Sequence, residues 1–232
     1  MLKKIICLSF ACAALLSACS DEEKYLEVLP EPTGTVTDSD GNVYNYVRIG
    51  DQEWTTSNAL NGLPITDFTW MEDGYEEYWN NANYERAENY MEKYGNIMTY
   101  QEALESAPEG WRLPSDEDWQ KLESYLGLEN PGERGWRGEG IATSLKANDA
   151  GTGLSLTLCG GMIPMKIWGW YEYQIDYMGE YGYYWTSTID RTAEDQDLVF
   201  YRKICYFNNS IGRESTGSVT SALAVRWVRD VK

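Results

Sequence analysis

Three consecutive acids, Asp116, Glu117 and Asp118, lie in the segment EGWRLPSDEDW (109–119). Carboxylate-dependent hydrolases use such side chains as general acid and base. The first turn of a helix also favours acids, because its amino end carries a partial positive charge. Ser115 stands at the N-cap position, and Asp118 takes the N3 position of a capping box. The segment therefore predicts the start of a helix, and a catalytic role for the acids would be an additional assumption.

Histidine is absent from the whole sequence. Its absence excludes Ser-His-Asp and Cys-His catalysis and removes the usual ligand of catalytic zinc, copper and haem. Of the five cysteines, only Cys159 and Cys205 lie beyond the amino-terminal region. They could form a disulfide in an exported chain or remain two buried thiols, and both alternatives stay open. We expect a protein that is not an enzyme and has no cofactor and no metal site.

The amino-terminal residues have the pattern of an export signal. Lys3 and Lys4 precede an apolar run that is too short to span a bilayer. The run ends in LSAC (16–19), which resembles the lipobox of bacterial lipoproteins, whereas an ordinary secretory signal is the alternative. We assign residues 1–18 to a lipoprotein signal peptide and Cys19 to lipidation. Acids directly after Cys19 resemble a surface-export signal, so we expect the protein in the cell envelope, lipid-anchored to the outer membrane and exposed on the surface.

Residues 19–33 have the composition of an acidic, proline-containing tether, and residues 34–232 suffice for one domain. Cleavage before Cys19 would remove two of the 19 basic side chains and no acid, which leaves 17 against 37 and a formal charge of −20. Such a surface repels phosphate backbones and anionic headgroups. We therefore expect no nucleic-acid partner, and membrane contact through the lipid anchor only.

The elements that must position these residues are mostly strands. Alternating apolar residues predict strands at 35–54, 154–158, 185–188, 198–207 and 222–231. A turn is predicted at DSDG (38–41), where a hairpin is favoured over a calcium-binding loop because the glycine is misplaced for an EF-hand.

Two helices are predicted in this part of the sequence, and the acidic tripeptide lies in the first turn of the second. One is predicted to begin near Thr99, and the other follows Ser115 and is closed by Gly127. The second helix is expected to bury one face made of Trp119, Leu122, Tyr125 and Leu126. A further helix is predicted at 84–94, inside an acidic and aromatic insertion at 61–94.

Aromatic side chains concentrate in that insertion and in residues 168–185, which hold nine aromatics in eighteen positions. Flat rings can stack on sugars while neighbouring acids and amides bond the hydroxyls. Core burial is the alternative for most of these rings, since alternate residues such as Tyr181 and Tyr183 are expected to point inward. The residues predicted to bind a ligand are Tyr78, Trp79, Trp168, Trp170, Tyr171 and Tyr173.

Four segments in this order resemble one family: DSDGNVYNYVRIGDQEW (38–54), EGWRLPSDEDWQKL (109–122), GEYGYYWTST (179–188) and AVRWVRD (224–230). They are similar to the Fibrobacter succinogenes major paralogous domain (FISUMP) of exported and lipid-anchored proteins of Bacteroidota. The second segment also resembles one in formylglycine-generating enzymes. This resemblance implies an α+β, C-type lectin-like fold, with small antiparallel sheets, two helices and long loops.

The resemblance has limits in this chain. Relatives often carry cysteines where this sequence has Ala107 and Trp227, and C-type lectins join the corresponding helix and last strand by a disulfide. We therefore expect packing of Trp227 to hold the two ends. Neither Cys159 nor Cys205 sits in the copper-binding motif of the formylglycine-generating enzymes, so their activity is not carried over. A lectin-type calcium site is not carried over either, since the Glu-Pro-Asn loop is missing.

Together these features predict a non-catalytic, surface-anchored binding module that recognises a glycan or a protein ligand through aromatic-rich loops. The alternative is a structural or interaction component of the cell envelope or of a fimbria-like assembly. A carboxylate hydrolase is a third reading, but the number of acids alone does not support it, because some pair will always lie at a suitable distance.

Overall fold

The computed structural model describes residues 30–62, 94–146, 151–163, 165–167, 170–172, 175–192 and 197–231. Its strands are β1 (Gly34–Thr37), β2 (Val43–Ile49), β3 (Gln52–Thr55), β4 (Met98–Thr99), β5 (Gly135–Arg137), β6 (Cys159–Met162), β7 (Met165–Ile167), β8 (Trp170–Glu172), β9 (Ile175–Met178), β10 (Tyr181–Ile189), β11 (Leu198–Cys205), β12 (Asn208–Gly217), β13 (Ala222–Leu223) and β14 (Val228–Asp230). The helices in these residues are α1 (Tyr100–Glu105), α2 (Asp116–Tyr125) and α3 (Ile141–Leu145). Sheets with a few short helices confirm the α+β class.

The strands form two main sheets and a two-stranded ribbon of β7 and β8. The smaller sheet has the antiparallel order β1-β2-β3-β14, so the last strand closes against the third. The larger sheet has the order β4-β13-β6-β10-β11-β12-β5, with β9 added beside β6. Only β6 and β10 pair in parallel among the described neighbours. The predicted turn after β1 is confirmed, because Asp38 accepts from the amides of Asp40 and Asn42.

Both predicted helix starts carry complete capping boxes. Thr99 accepts from the amide of Glu102, whose side chain accepts from the Thr99 amide at 2.8 Å. Ser115 and Asp118 make the same reciprocal pair at the start of α2. Gly127 follows the end of α2 with a positive φ of 96° and donates to the Ser124 carbonyl. These caps satisfy amide and carbonyl groups that a helix end leaves without intrahelical partners.

The core consists of two adjoining clusters of buried side chains. One joins α2 to both sheets, since Trp119 packs on Trp54 of β3 and on Tyr184 of β10, with ring centroids 4.9 Å and 6.1 Å apart. The other surrounds Trp185 and Trp227, both of which are fully buried. The predicted buried face of α2 is confirmed for Trp119 and Leu122 and wrong for Tyr125, whose side chain is 66% exposed.

The strand predicted at 154–158 is wrong. Leu154 and Leu156 are buried in alternation, but the chain there makes one isolated bridge, and Ser155 has a φ of 56°. The carbonyls of Leu154 and Ser155 accept instead from the buried guanidinium of Arg226. A side chain thus takes the place of a partner strand, which local alternation could not reveal.

Two other predicted strands have different ends from those expected. Residues 222–231 divide into β13 and β14, which belong to different sheets, because the chain crosses between the sheets through a buried segment at 224–227. The strand predicted at 198–207 ends at Cys205, where the chain turns into β12. The register of β11 against β12 is irregular just before this turn.

Cys159 and Cys205 are two separate buried thiols, so the disulfide alternative does not describe this fold. Burial raises the pKa of Cys159. The predicted signal peptide, Cys19, most of the tether, the insertion beyond Gly62 and the predicted helix at 84–94 (apart from Tyr94) lie outside the described residues.

Candidate functional site

Two of the three consecutive acids at the start of α2, Asp116 and Asp118, have partners in the fold. Asp118 accepts from the Ser115 amide at 2.9 Å, from Arg112 Nη2 at 2.7 Å and from Gln52 Nε2 at 3.0 Å. Its carboxylate therefore joins the start of α2 to β3. Glu117 is exposed, whereas Asp116 is turned into the protein.

Asp116 belongs to a buried group of five charges, here called the ion network: Asp116, Glu123, Arg137, Arg202 and Arg213. Arg202 lies between the two carboxylates, with Nη1 2.7 Å from Asp116 Oδ1 and Nε 2.5 Å from Glu123 Oε1. Arg213 reaches Asp116 at 2.8 Å, and Arg137 reaches Glu123 at 2.9 Å. Each side chain is less than a tenth exposed.

The ion network is built to keep its carboxylates charged. Burial by itself opposes ionisation of Asp116, but the hydrogen bonds and charges of Arg213 and Arg202 outweigh it and lower its pKa to about 2. A general acid needs the opposite shift, a pKa raised toward neutrality. Asp116 therefore fastens α2 to β11 and β12 instead of supplying a proton.

The lowered pKa of Asp116 predicts acid-sensitive stability. The ionised form is favoured in the fold, so this contribution is complete above pH 4, the ordinary range of an aspartate, and is lost as the pH falls toward 2. Urea unfolding of the wild type and of Asp116→Asn between pH 6 and 2 should show a difference in unfolding free energy that shrinks by roughly 2 kcal/mol. A difference that stays constant over this range would contradict the assignment.

The arginine partners are what sequence reasoning missed. Arg202 interrupts the apolar strand pattern LVFYRKIC (198–205), which is the local signal of a buried arginine, whereas Arg213 and Arg137 lie in segments without such a pattern. Arg226 also interrupts an apolar pattern, but it is 1% exposed and has no carboxylate partner in the described part of the chain. Its guanidinium donates to Asn58 Oδ1 at 2.6 Å and to three backbone carbonyls.

Three of the segments that resemble one family meet in the scaffold. The segments beginning DSDGNV and EGWRLP meet through the ring contact of Trp54 with Trp119. The segment AVRWVRD joins them, because the Arg112 amide donates to the Val228 carbonyl at 3.0 Å and Val228 pairs with Trp54. These motifs therefore hold the chain ends and α2 together.

Aromatic rings run in contact from the interior to the surface at one end of the larger sheet. We call this group the aromatic edge: Tyr181, Tyr183, Tyr201, Tyr206 and Phe207. Tyr183 contacts Tyr201 edge to face, and Tyr181 stacks on Tyr183 with centroids 5.7 Å apart. Phe207 meets Tyr181 at 5.6 Å, and Tyr206 meets Phe207 at 5.1 Å. The last two side chains are 64% and 60% exposed.

The exposed end of the aromatic edge is a two-residue turn between β11 and β12. Cys205 pairs with Asn208, which leaves Tyr206 and Phe207 as the two central residues. Such turns favour glycine, asparagine and aspartate, which tolerate positive φ. Among the described non-glycine residues, Ser155 is the one with a positive φ. The φ values of Tyr206 and Phe207 are therefore both negative. Two bulky aromatic residues at these positions neither favour the turn conformation nor fill the core. Residues that break a local structural preference in this way often lie at functional positions.

The same sheet face continues from the aromatic edge across neighbouring strands. Tyr183 pairs with Lys203, which pairs with Gly212 and through it with Trp136. The Lys203 ammonium lies 4.9 Å from the Trp136 ring centre. Its stem crosses Gly212 so closely that a Cβ there would lie 2.3 Å from Lys203 Cγ. Glycine at 212 thus allows the lysine to reach the indole.

The structure only partly describes the predicted ligand-binding residues. Trp170 and Tyr171 lie in β8, opposite Ile167 and Lys166 of β7. Tyr78, Trp79, Trp168 and Tyr173 lie outside the described residues. Tyr206 and Phe207 fall within the strand predicted at 198–207, whereas the structure places them in the turn after Cys205.

Two features are absent from the described residues. No group of three or more cysteine, aspartate or glutamate side chains in the described ranges could hold a metal ion. No helix in that part of the chain is long and apolar enough to cross a membrane.

Fold and site together define an α+β, sheet-rich domain with a buried ion network and an exposed aromatic edge. Residues 47–229 match the family model of the Fibrobacter succinogenes major domain. The chain belongs to this family, which confirms the resemblance drawn from its segments. No curated protein and no solved structure matches the chain.

Proposed function

We propose that this protein is a non-catalytic binding module, anchored at the cell surface through Cys19, that recognises a glycan or a protein ligand through its aromatic edge. The observation that carries the proposal is the pair of exposed rings in the turn after β11. Exposed aromatic side chains can stack on sugar rings and are also frequent energetic centres of protein interfaces. The aromatic-rich residues 168–178 lead directly into Tyr181, so they are part of the same proposal.

Charge narrows the ligands that this module would accept. The formal charge of −18 disfavours nucleic acids, anionic glycans and anionic lipid surfaces. Near the aromatic edge, Lys203 pairs with Glu214 at 3.3 Å and Lys146 Nζ donates to the Asn208 carbonyl at 2.8 Å, so both ammonium groups already have partners. A neutral glycan or an uncharged protein surface therefore suits the edge best.

The cellular location of the protein and its C-type lectin-like fold belong to the same proposal. An outer-membrane, surface-exposed position follows from the lipobox-like LSAC (16–19) and the acids after it. A C-type lectin-like arrangement is supported by the pairing of β14 with β3, which brings the two ends of the domain together as in that fold. It is also supported by Ala107 and Trp227, which pack in one cluster where lectins have a disulfide.

Replacing the turn by one that folds more easily should separate binding from stability. In the double variant Tyr206→Asn with Phe207→Gly, the preferred turn residues compensate for the lost ring contacts. We expect the unfolding free energy to stay within about 1 kcal/mol of the wild type. Ligand binding, found by a glycan array and by pull-down from surface-labelled cells and then measured by calorimetry, should weaken at least about tenfold.

Tyr125→Ala is the matched control, because Tyr125 is as exposed as Tyr206 but lies outside the aromatic edge. It should leave binding at the edge unchanged. Strong destabilisation of the double variant would mean that the rings serve the fold, and unchanged binding in it would contradict the proposal. A protein retained after glycans are stripped would instead favour the alternative, a structural or interaction component of the envelope.

A further inference from the structure

The first strand of the domain leaves one side of the smaller sheet open among the described residues. β1 is the outermost strand of this sheet and pairs with β2 alone. The Asn45 carbonyl accepts from the Thr56 amide, so the backbone of Asn45 points toward β3 and that of its partner Thr35 points away from the sheet. The same alternation turns the backbone of Thr37 outward. These outward N–H and C=O groups have no hydrogen-bond partner within the described ranges.

The open side of β1 lacks the features that usually block a sheet edge, namely charged side chains, proline or a bulge. β1 has the sequence GTVT, and its register with β2 is regular. The opposite edge of the same sheet, β14, is flanked instead by the isolated bridge of Arg112 with Val228. Since threonine and valine favour strands, β1 can accept one more strand along its open side.

This open side is complementary to itself. Antiparallel pairing of β1 with a second copy, about a two-fold axis at Val36, would place Thr35 opposite Thr37 of the second copy. Both residues have outward backbone groups, so each N–H would meet a C=O. Gly34 would lie opposite Asp38, whose carboxylate already accepts from the Asn42 amide at 2.9 Å. No like charges would therefore face each other across the paired strands.

Charge favours this contact over others between copies of the chain. A formal charge of −18 opposes association wherever acids of two copies approach each other. The side chains that flank the open side of β1 are uncharged: Thr35 and Thr37 are exposed, and Val43, which pairs with Thr37, is 60% exposed. A second copy of β1 would continue this uncharged surface across the two-fold axis.

We propose that two copies of this protein associate through antiparallel pairing of β1, which joins their smaller sheets into one continuous sheet. Because the two-fold arrangement uses the open side of both copies, the assembly closes as a dimer and does not grow into a filament. β1 has four residues, so the interface is small and the dimer weak. The proposed lipid anchor would strengthen it by concentrating the copies on one membrane, but the pairing itself depends neither on the anchor nor on the aromatic edge.

The first test is sedimentation equilibrium of the full chain in a neutral detergent. We expect a reversible monomer–dimer equilibrium with a dissociation constant of about 10–300 µM, as is typical of a small interface. In the double variant Thr35→Lys with Thr37→Lys, like charges stand opposite each other across the two-fold axis. The dissociation constant should then rise at least about tenfold.

A matched control and a rescue distinguish pairing of β1 from a general effect of charge. Val219→Lys with Leu104→Lys adds the same charge at two exposed residues outside the smaller sheet and should dimerise as the wild type does. Mixing the lysine variant with Thr35→Glu, Thr37→Glu should restore the dimer, because each new lysine then faces a glutamate. Carbodiimide coupling of this mixture, read by mass spectrometry, should join position 35 of one copy to position 37 of the other.

A wild type that stays monomeric up to about 1 mM would overturn the inference, as would a lysine variant that dimerises like the wild type. So would a mixture without coupling between positions 35 and 37 although both variants keep the wild-type Tm. If the lysine variant has a lowered Tm, Thr35→Pro decides instead, because it removes only an outward N–H and should also weaken the dimer. Loss of the dimer in Tyr206→Asn with Phe207→Gly would place the contact at the aromatic edge and contradict pairing through β1.

Discussion

Replacing Arg202 by methionine is expected to destabilise the protein by roughly 3–5 kcal/mol, because it leaves two buried carboxylates short of a partner. Arg202 is 0% exposed and is the one side chain of the ion network that bonds both Asp116 and Glu123. Removing the whole network in favour of well-packed apolar residues could be neutral, but removing a single member is not. Thermal unfolding should show a Tm lower by on the order of 10 °C.

The adjacent residue provides the control. Lys203 also pairs with an acid, Glu214, but these two side chains are 19% and 34% exposed, so water reaches this pair. Lys203→Met should therefore change the unfolding free energy by less than about 1 kcal/mol. Equal effects of the two substitutions would show that burial of the ion network is not what makes Arg202 important.

Trp227→Ala is expected to cost roughly 3–5 kcal/mol, the usual range for deleting a fully buried large aromatic side chain. Trp227 is 0% exposed, and its backbone pairs with Thr55, so the residue lies where the last part of the chain is fixed to the smaller sheet. A disulfide in its place would contribute about 2–4 kcal/mol, a comparable amount. The measurement is the unfolding free energy in urea together with Tm.

A conservative variant distinguishes packing from hydrogen bonding at this position. The indole Nε1 of Trp227 is buried and has no hydrogen-bond partner among the described residues. Trp227→Phe removes this unsatisfied group and keeps most of the ring, so it should cost under about 1.5 kcal/mol. An unchanged Tm in Trp227→Ala would show that packing of Trp227 does not hold the two ends of the domain together.

Local features of the fold were accessible from the sequence because their causes are local. The capping boxes at Thr99 and Ser115 and the turn at Asp38 each involve residues within four positions of one another. The family assignment likewise followed from short segments in a fixed order and is confirmed. The α+β class followed from that resemblance.

Features that depend on distant residues were not accessible in this way. Arg202 and Asp116 are 86 positions apart, and Arg226 and Leu154 are 72 apart. Sequence separations of this size also explain why a side chain could replace a partner strand at 154–158. They explain as well why the segment at 222–231 divides between two sheets. Alternation shows that a residue is buried, but it does not show what it is buried against.

The sequence by itself determined where α1, α2 and the first turn begin, the absence of imidazole chemistry, the acidic surface and the family. The tertiary structure alone decided that Asp116 meets arginines and that Tyr125, Tyr206 and Phe207 face solvent. The physical reason is that capping, charge and composition act within a few residues. Exposure and ion pairing, by contrast, depend on which distant strands the folded chain brings side by side.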